Sequence, residues 1–140
     1  FWRLCLPLFG GMTLALACYV ILPTGLNLRP YYVPGSDIFA RAVRFLYRTD
    51  TPINVCPSIH VFNSVTLLLA YYRSRLFERP RLRWMRPAAA VLCGSIVCST
   101  VLLKQHSCID VVLGILLALA LDAAFTAASE YSELLQTRRV

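Results

Sequence analysis

The chain has 140 residues, 58% of them hydrophobic and 15% charged, and a formal net charge of +7. That apolar content and a mean hydropathy of +0.62 exclude disorder and argue against an ordinary water-soluble core. No charged residue occurs between Arg3 and Arg29, between Asp50 and Arg73, or between Arg86 and Lys104, and Asp122 alone interrupts the stretch from Val111 to Ser129. Such gaps approach the length of a bilayer-spanning helix, and their repetition excludes a lone secretory signal. The expected fold is all-α, a polytopic membrane helix bundle with four spanning helices and one interfacial amphipathic helix. It forms a single membrane-embedded domain over residues 1–140, and the start at Phe1 makes an N-terminally truncated chain the expectation.

Leu4 to Leu22 reads as the first spanning helix, stopped by Pro23-Thr24-Gly25. After a turn-rich stretch, Ser36 to Arg48 opens on a capping-type serine and sets Ile38, Phe39, Ala42, Val43, Phe45 and Leu46 against Arg41, Arg44 and Arg48. This pattern predicts an amphipathic helix lying at the membrane surface. Ser58 to Tyr72 is a short second span with His60 in its first turn, Pro87 to Leu103 the third, and Cys108 to about Ala128 the fourth. Asp122, about 18 Å beyond Asp110 along that helix, is expected to be a bundle-facing or cytoplasmic-edge acid, partnered with a helix outside this chain.

Six arginines against one glutamate lie between Arg73 and Arg86, which places that connection in the cytoplasm. Counting crossings from it puts both histidine-bearing connections on the opposite, extracytoplasmic side. A multi-pass protein of the plasma membrane, or a bacterial inner membrane, is the expected setting. The concentration of charge in one inter-helix loop favours anionic lipid headgroups over nucleic acid as its contact. Cys5, Cys18, Cys93 and Cys98 sit within apolar segments as small hydrophobes. Cys56 and Cys108 flank the histidines, but their spacings match no zinc pattern, so no metal and no cofactor are expected.

The chain has two histidines, and each opens a predicted membrane helix on the same face of the bilayer. His106 and Asp110 are four residues apart, so a helix sets the carboxylate about 6 Å along its axis from the imidazole on one face. A carboxylate there can fix the imidazole tautomer and stabilise its cation. Taken singly, each motif is equally compatible with snorkelling interfacial residues and a helix-capping acid.

Together, Arg29-Pro30, Pro57-Ser58-Ile59-His60, and Ser99-Thr100 followed after five residues by His106 and after three more by Asp110 resemble the type 2 phosphatidic acid phosphatase superfamily. The resemblance covers roughly residues 4 to 128. Leu22, Ile59 and Thr100 stand where that family's motifs carry lysine, glycine and arginine, a pattern similar to the divergent branch that contains inositol-phosphorylceramide synthases and many bacterial members. The resemblance implies six spanning helices, with two upstream of Phe1. It implies a lipid phosphate or diphosphate phosphatase in which His106 is the nucleophile, Asp110 its orienting partner and His60 the general acid. Arg29, Ser58 and Lys104 would bind the phosphate, Lys104 in place of a missing family cation or, alternatively, only as an interfacial lysine. Phosphoryl transfer to an alcohol, a non-catalytic scaffold and a proton-relaying transporter remain alternatives at this stage.

Overall fold

The computed structural model describes residues 2–137, with five α-helices and, among those residues, no strand. They are α1 (Trp2–Ile21), α2 (Ile38–Thr49), α3 (Ile59–Arg73), α4 (Met85–Leu102) and α5 (Cys108–Thr137), with a short 3-10 turn at Arg75–Glu78. Chain direction alternates through α1, α3, α4 and α5, so α3 and α5 run parallel, both starting at the histidine end. Three of these helices are long and apolar enough to cross a membrane: α1 over Leu4–Ile21, α4 over Met85–Leu102 and α5 over Cys108–Ser132.

The fourth expected span, α3, falls short. It has 15 residues, about 22 Å of helix, against a hydrocarbon core of about 30 Å. Its position explains why so short a helix is stable, because it packs against α1, α4 and α5 and buries Val61 and Phe62 completely. A helix wrapped by its neighbours needs neither full bilayer length nor an apolar surface all round, and α3 accordingly carries Asn63, Ser64 and Thr66. The surrounding helices turn Leu6, Phe9, Leu14 and Leu16 of α1 and Ile109, Val112 and Leu116 of α5 outward, as lipid-facing surfaces require.

Two glycines allow the close approach. A Cβ on Gly11 of α1 would overlap the Phe62 ring and lie 2.7 Å from Leu121 Cδ1. One on Gly114 of α5 would lie 2.8 Å from the Ser58 carbonyl oxygen. The second approach brings the start of α3 against the first two turns of α5.

At the arginine-rich end, Arg73 forms a 2.5 Å ion pair with Asp122 and donates to Thr126 Oγ1. Asp122 thus has its partner inside this chain, contrary to the expectation of an outside helix. Arg86 donates to the carbonyls of Tyr71, Tyr72 and Ser74, satisfying the otherwise orphaned C-terminal end of α3. Arg75, Arg79, Arg81 and Arg83 remain exposed.

The amphipathic helix begins one residue later than expected, because Asp37 rather than Ser36 is its cap and accepts from the Phe39 N–H at 3.2 Å. It buries Ala40 and leaves Ile38, Phe39 and Phe45 exposed, an uncovered apolar surface suited to the membrane interface. The flanking segments are joined by hydrogen bonds from Leu26 N to Pro52 O (2.9 Å) and from Asn54 N to Thr24 O (2.6 Å). Thr24 Oγ1 also accepts from the amides of Val55 and Cys56.

Candidate active site

Asp110 and Ser58 tie the two histidine motifs together. Ser58 caps α3, its hydroxyl accepting from the Val61 N–H, while its own N–H donates to the Asp110 carbonyl at 3.1 Å. This bond, with the close approach at Gly114, sets the first turn of α3 beside that of α5. The ring centroids of His60 and His106 are consequently 5.7 Å apart, nearly edge to face at 66°. Residues 46 positions apart in the chain thus form one site.

The turn that delivers His106 is equally specific. Past α4, the Lys104 N–H donates to Val101 O and the Gln105 N–H to Thr100 O, both at 2.9 Å, and Lys104 has a φ of +52°. These are the two hydrogen bonds of a Schellman ending with its left-handed residue at Lys104. The His106 N–H also reaches Thr100 O at 3.2 Å, which turns the imidazole back over the bundle. Ser107 then starts α5 reciprocally with Asp110: its N–H donates to Asp110 Oδ2 at 2.7 Å and its hydroxyl accepts from the Asp110 N–H.

His106 is 7% and Asp110 5% exposed. Asp110 Oδ2 lies 3.9 Å from His106 Nδ1, too far for a hydrogen bond, and Nδ1 has no partner among the described residues. A rotation that moves the carboxylate inward by about 1 Å would close that gap, and such contacts often tighten only around substrate. Burial pushes His106 below the ordinary histidine range and the neighbouring His60 pushes it further, with Asp110 opposing both. A ring held unprotonated near neutral pH keeps a nitrogen lone pair for attack. Burial, reinforced by Asp110, raises the Cys56 thiol and keeps it protonated, unlike an activated cysteine. Among the described residues, no three His, Cys, Asp or Glu side chains converge as metal ligands.

The histidines share a cavity of about 130 Å³ whose walls include Tyr19, Asp50, Val55 and Gln105, room for about four waters. Four of the residues singled out from sequence, His60, His106, Asp110 and Arg29, gather at or beside it. Arg29 stands behind the wall: its guanidinium donates to Asp50 Oδ2 at 2.7 Å and to the Asp50 carbonyl, and lies 5.0 Å above the Tyr47 ring. Ser58 is wholly buried as a helix cap, outside the cavity lining. Lys104 is exposed and likewise absent from that lining.

Sequence reasoning missed Asp50 and Gln105. Gln105 Nε2 donates to Asp50 Oδ2 at 2.9 Å, so one carboxylate holds both Arg29 and the residue preceding His106. Tyr47 adds a 2.9 Å hydrogen bond to the Leu103 carbonyl. The only available signal was that Asp50 is an isolated acid directly after an arginine-bearing helix.

Fold and site together define a helical membrane protein with a paired-histidine centre, flanked by the carboxylates of Asp110 and Asp50, at one end of its bundle. The model of the PAP2 superfamily matches residues 4–133, and the chain belongs to that superfamily, whose members are phosphatases or phosphotransferases. No curated protein and no solved structure matches the chain.

Proposed function

We propose that the protein is an integral membrane lipid phosphatase, acting on a lipid phosphate or diphosphate through a phosphohistidine at the extracytoplasmic face. The observation that carries this reading is the pairing of His60 and His106 at 5.7 Å across one cavity wall, with Asp110 beneath the buried ring. A His106 ring nitrogen attacks phosphorus, and the bond from phosphorus to the lipid oxygen breaks. His60 gives its proton to that departing oxygen. Asp110, closing on Nδ1, holds the tautomer and offsets the positive charge that develops on the ring.

In the second step His60 takes a proton from water, the water oxygen attacks phosphorus, and the bond to nitrogen breaks. The exposure of His60 favours water as the acceptor. Arg29 is the nearest motif cation for the non-bridging oxygens, and it must give up part of its hold on Asp50 to reach them. Ser58 acts by fixing the start of α3. The exposed arginines at the other end of the bundle support an extracytoplasmic site.

Phosphate release from lipid phosphates in nanodiscs tests this reading. The wild type should form an acid-labile, base-stable phosphoryl adduct that the folded His106→Asn variant lacks. Turnover retained by His106→Asn would refute it. Sidedness is tested in intact cells with single cysteines on a cysteine-free background: Gly35→Cys should react with an impermeant maleimide, and Glu78→Cys only after lysis.

A further inference from the structure

We infer that Asp50 is a specificity-determining residue, selecting a substrate whose reacting phosphoryl group carries one negative charge rather than two. The inference rests on the phosphohistidine reading and deepens it. Its basis is the charge placed around the cavity. Among the described residues no arginine or lysine lines the cavity; Arg29 stands behind its wall, and Asp50 binds it through both its side chain and its carbonyl. Asp110 is a second carboxylate, buried under His106. Lys104 is exposed outside the lining, and Arg44 is held by the carbonyls of Val33 and Gly35.

One cation against two carboxylates leaves the permanent charges of the site at minus one. A proton on His60, which the leaving-group step requires, brings it to neutral. Asp50 lines the same cavity as both histidines and is bonded to the neighbour of His106, so its charge acts on any phosphoryl group placed there. A second negative charge on the phosphoryl group meets no cation lining the cavity among the described residues and faces that carboxylate in a partly buried site, where Coulomb terms are stronger than in water.

Two substrate chemistries supply a monoanion: a phosphodiester, or a phosphate monoester in its protonated form. Attack by His106 proceeds identically on either. The bond to the leaving oxygen breaks, His60 supplies that oxygen's proton, and a diester leaves its second ester link on the phosphohistidine, so that the acceptor receives a substituted phosphoryl group. Lipid diphosphates, with more negative charge, are the disfavoured members of the class.

The test uses the full chain in nanodiscs with methyl p-nitrophenyl phosphate and p-nitrophenyl phosphate, which share a leaving group and differ in charge. The ratio of their kcat/KM values at one pH cancels the enzyme's own titration. At about pH 8 the monoester is a dianion, and at about pH 5 a monoanion. The diester-to-monoester ratio of the wild type should fall about tenfold between those two values, the scale of one charge contact.

Asp50→Asn should lower the ratio at about pH 8 by about the same factor, whereas Asp50→Glu, which keeps the charge, should retain the wild-type ratio. A monoester faster than the diester at the lower pH identifies the protonated monoester as the source, and a diester faster at both identifies the diester. A ratio unmoved by Asp50→Asn, or moved equally by Asp50→Glu, overturns the inference. If His106→Asn retains turnover, or the wild type cleaves neither ester, the phosphohistidine reading fails and the inference falls with it.

Discussion

Replacing Lys104 with glycine should leave the protein at least as stable and nearly as active, although lysine at this position looks from sequence like a phosphate ligand. In the structure Lys104 is the left-handed residue that ends α4, at a φ of +52°, and its side chain is exposed. A side chain in that conformation costs about 1–2 kcal/mol that glycine avoids, partly offset by the greater freedom of glycine in the unfolded chain, about 0.5–1 kcal/mol. The net expectation is a gain of about 0–1.5 kcal/mol, read as a small rise in Tm in detergent. The charge itself contributes little. Two unit charges about 7 Å apart in water interact by roughly 0.6 kcal/mol, so losing the ammonium should change kcat/KM by no more than about threefold. Lys104→Met separates the two effects, because it removes the charge without relieving the backbone. A loss of tenfold or more in both variants would refute this placement and make Lys104 a substrate ligand.

His106, held below the ordinary histidine range chiefly by burial, predicts a pH dependence with a defined sign. Between its folded value and the unfolded one of about 6.5, the unfolded chain binds a proton that the folded chain does not. Stability therefore falls as pH drops from about 6.5 through the folded value, and thermal unfolding across that range should lose this dependence in His106→Asn. The acid limb of kcat/KM should likewise lie below about 6.5. Gly114→Ala should destabilise by about 1–3 kcal/mol and impair turnover, since its methyl would sit 2.8 Å from the Ser58 carbonyl oxygen. Gly94→Ala, with nothing within 4 Å, is the control, and equal melting temperatures for the two variants would contradict the packing argument.

The apolar gaps between charge clusters determined that this is a helical membrane protein, because a bilayer admits a helix only where about twenty residues lack charge. Spacing also predicted that His106 and Asp110 lie close, though on one helical face; in the structure α5 starts at Cys108 and His106 sits in the turn before it, with 3.9 Å between Nδ1 and the Asp110 carboxylate. Pairing these with His60 rested on the family resemblance, because no local pattern fixes how α3 sits against α5. That pairing comes from the Gly114 approach and the bond from Ser58 to Asp110. Local pattern likewise could not show that α3, at 15 residues, is short of bilayer length, since a helix packed against three others need not match the bilayer. Asp50 and Gln105 were invisible for the same reason: they are 55 residues apart and meet only where the segment after α2 crosses the turn after α4. Lys104 carries the opposite lesson. Its charge and its nearness to His106 are sequence properties, but its exposure outside the cavity lining and its left-handed backbone, set by the hydrogen bonds closing α4, are not.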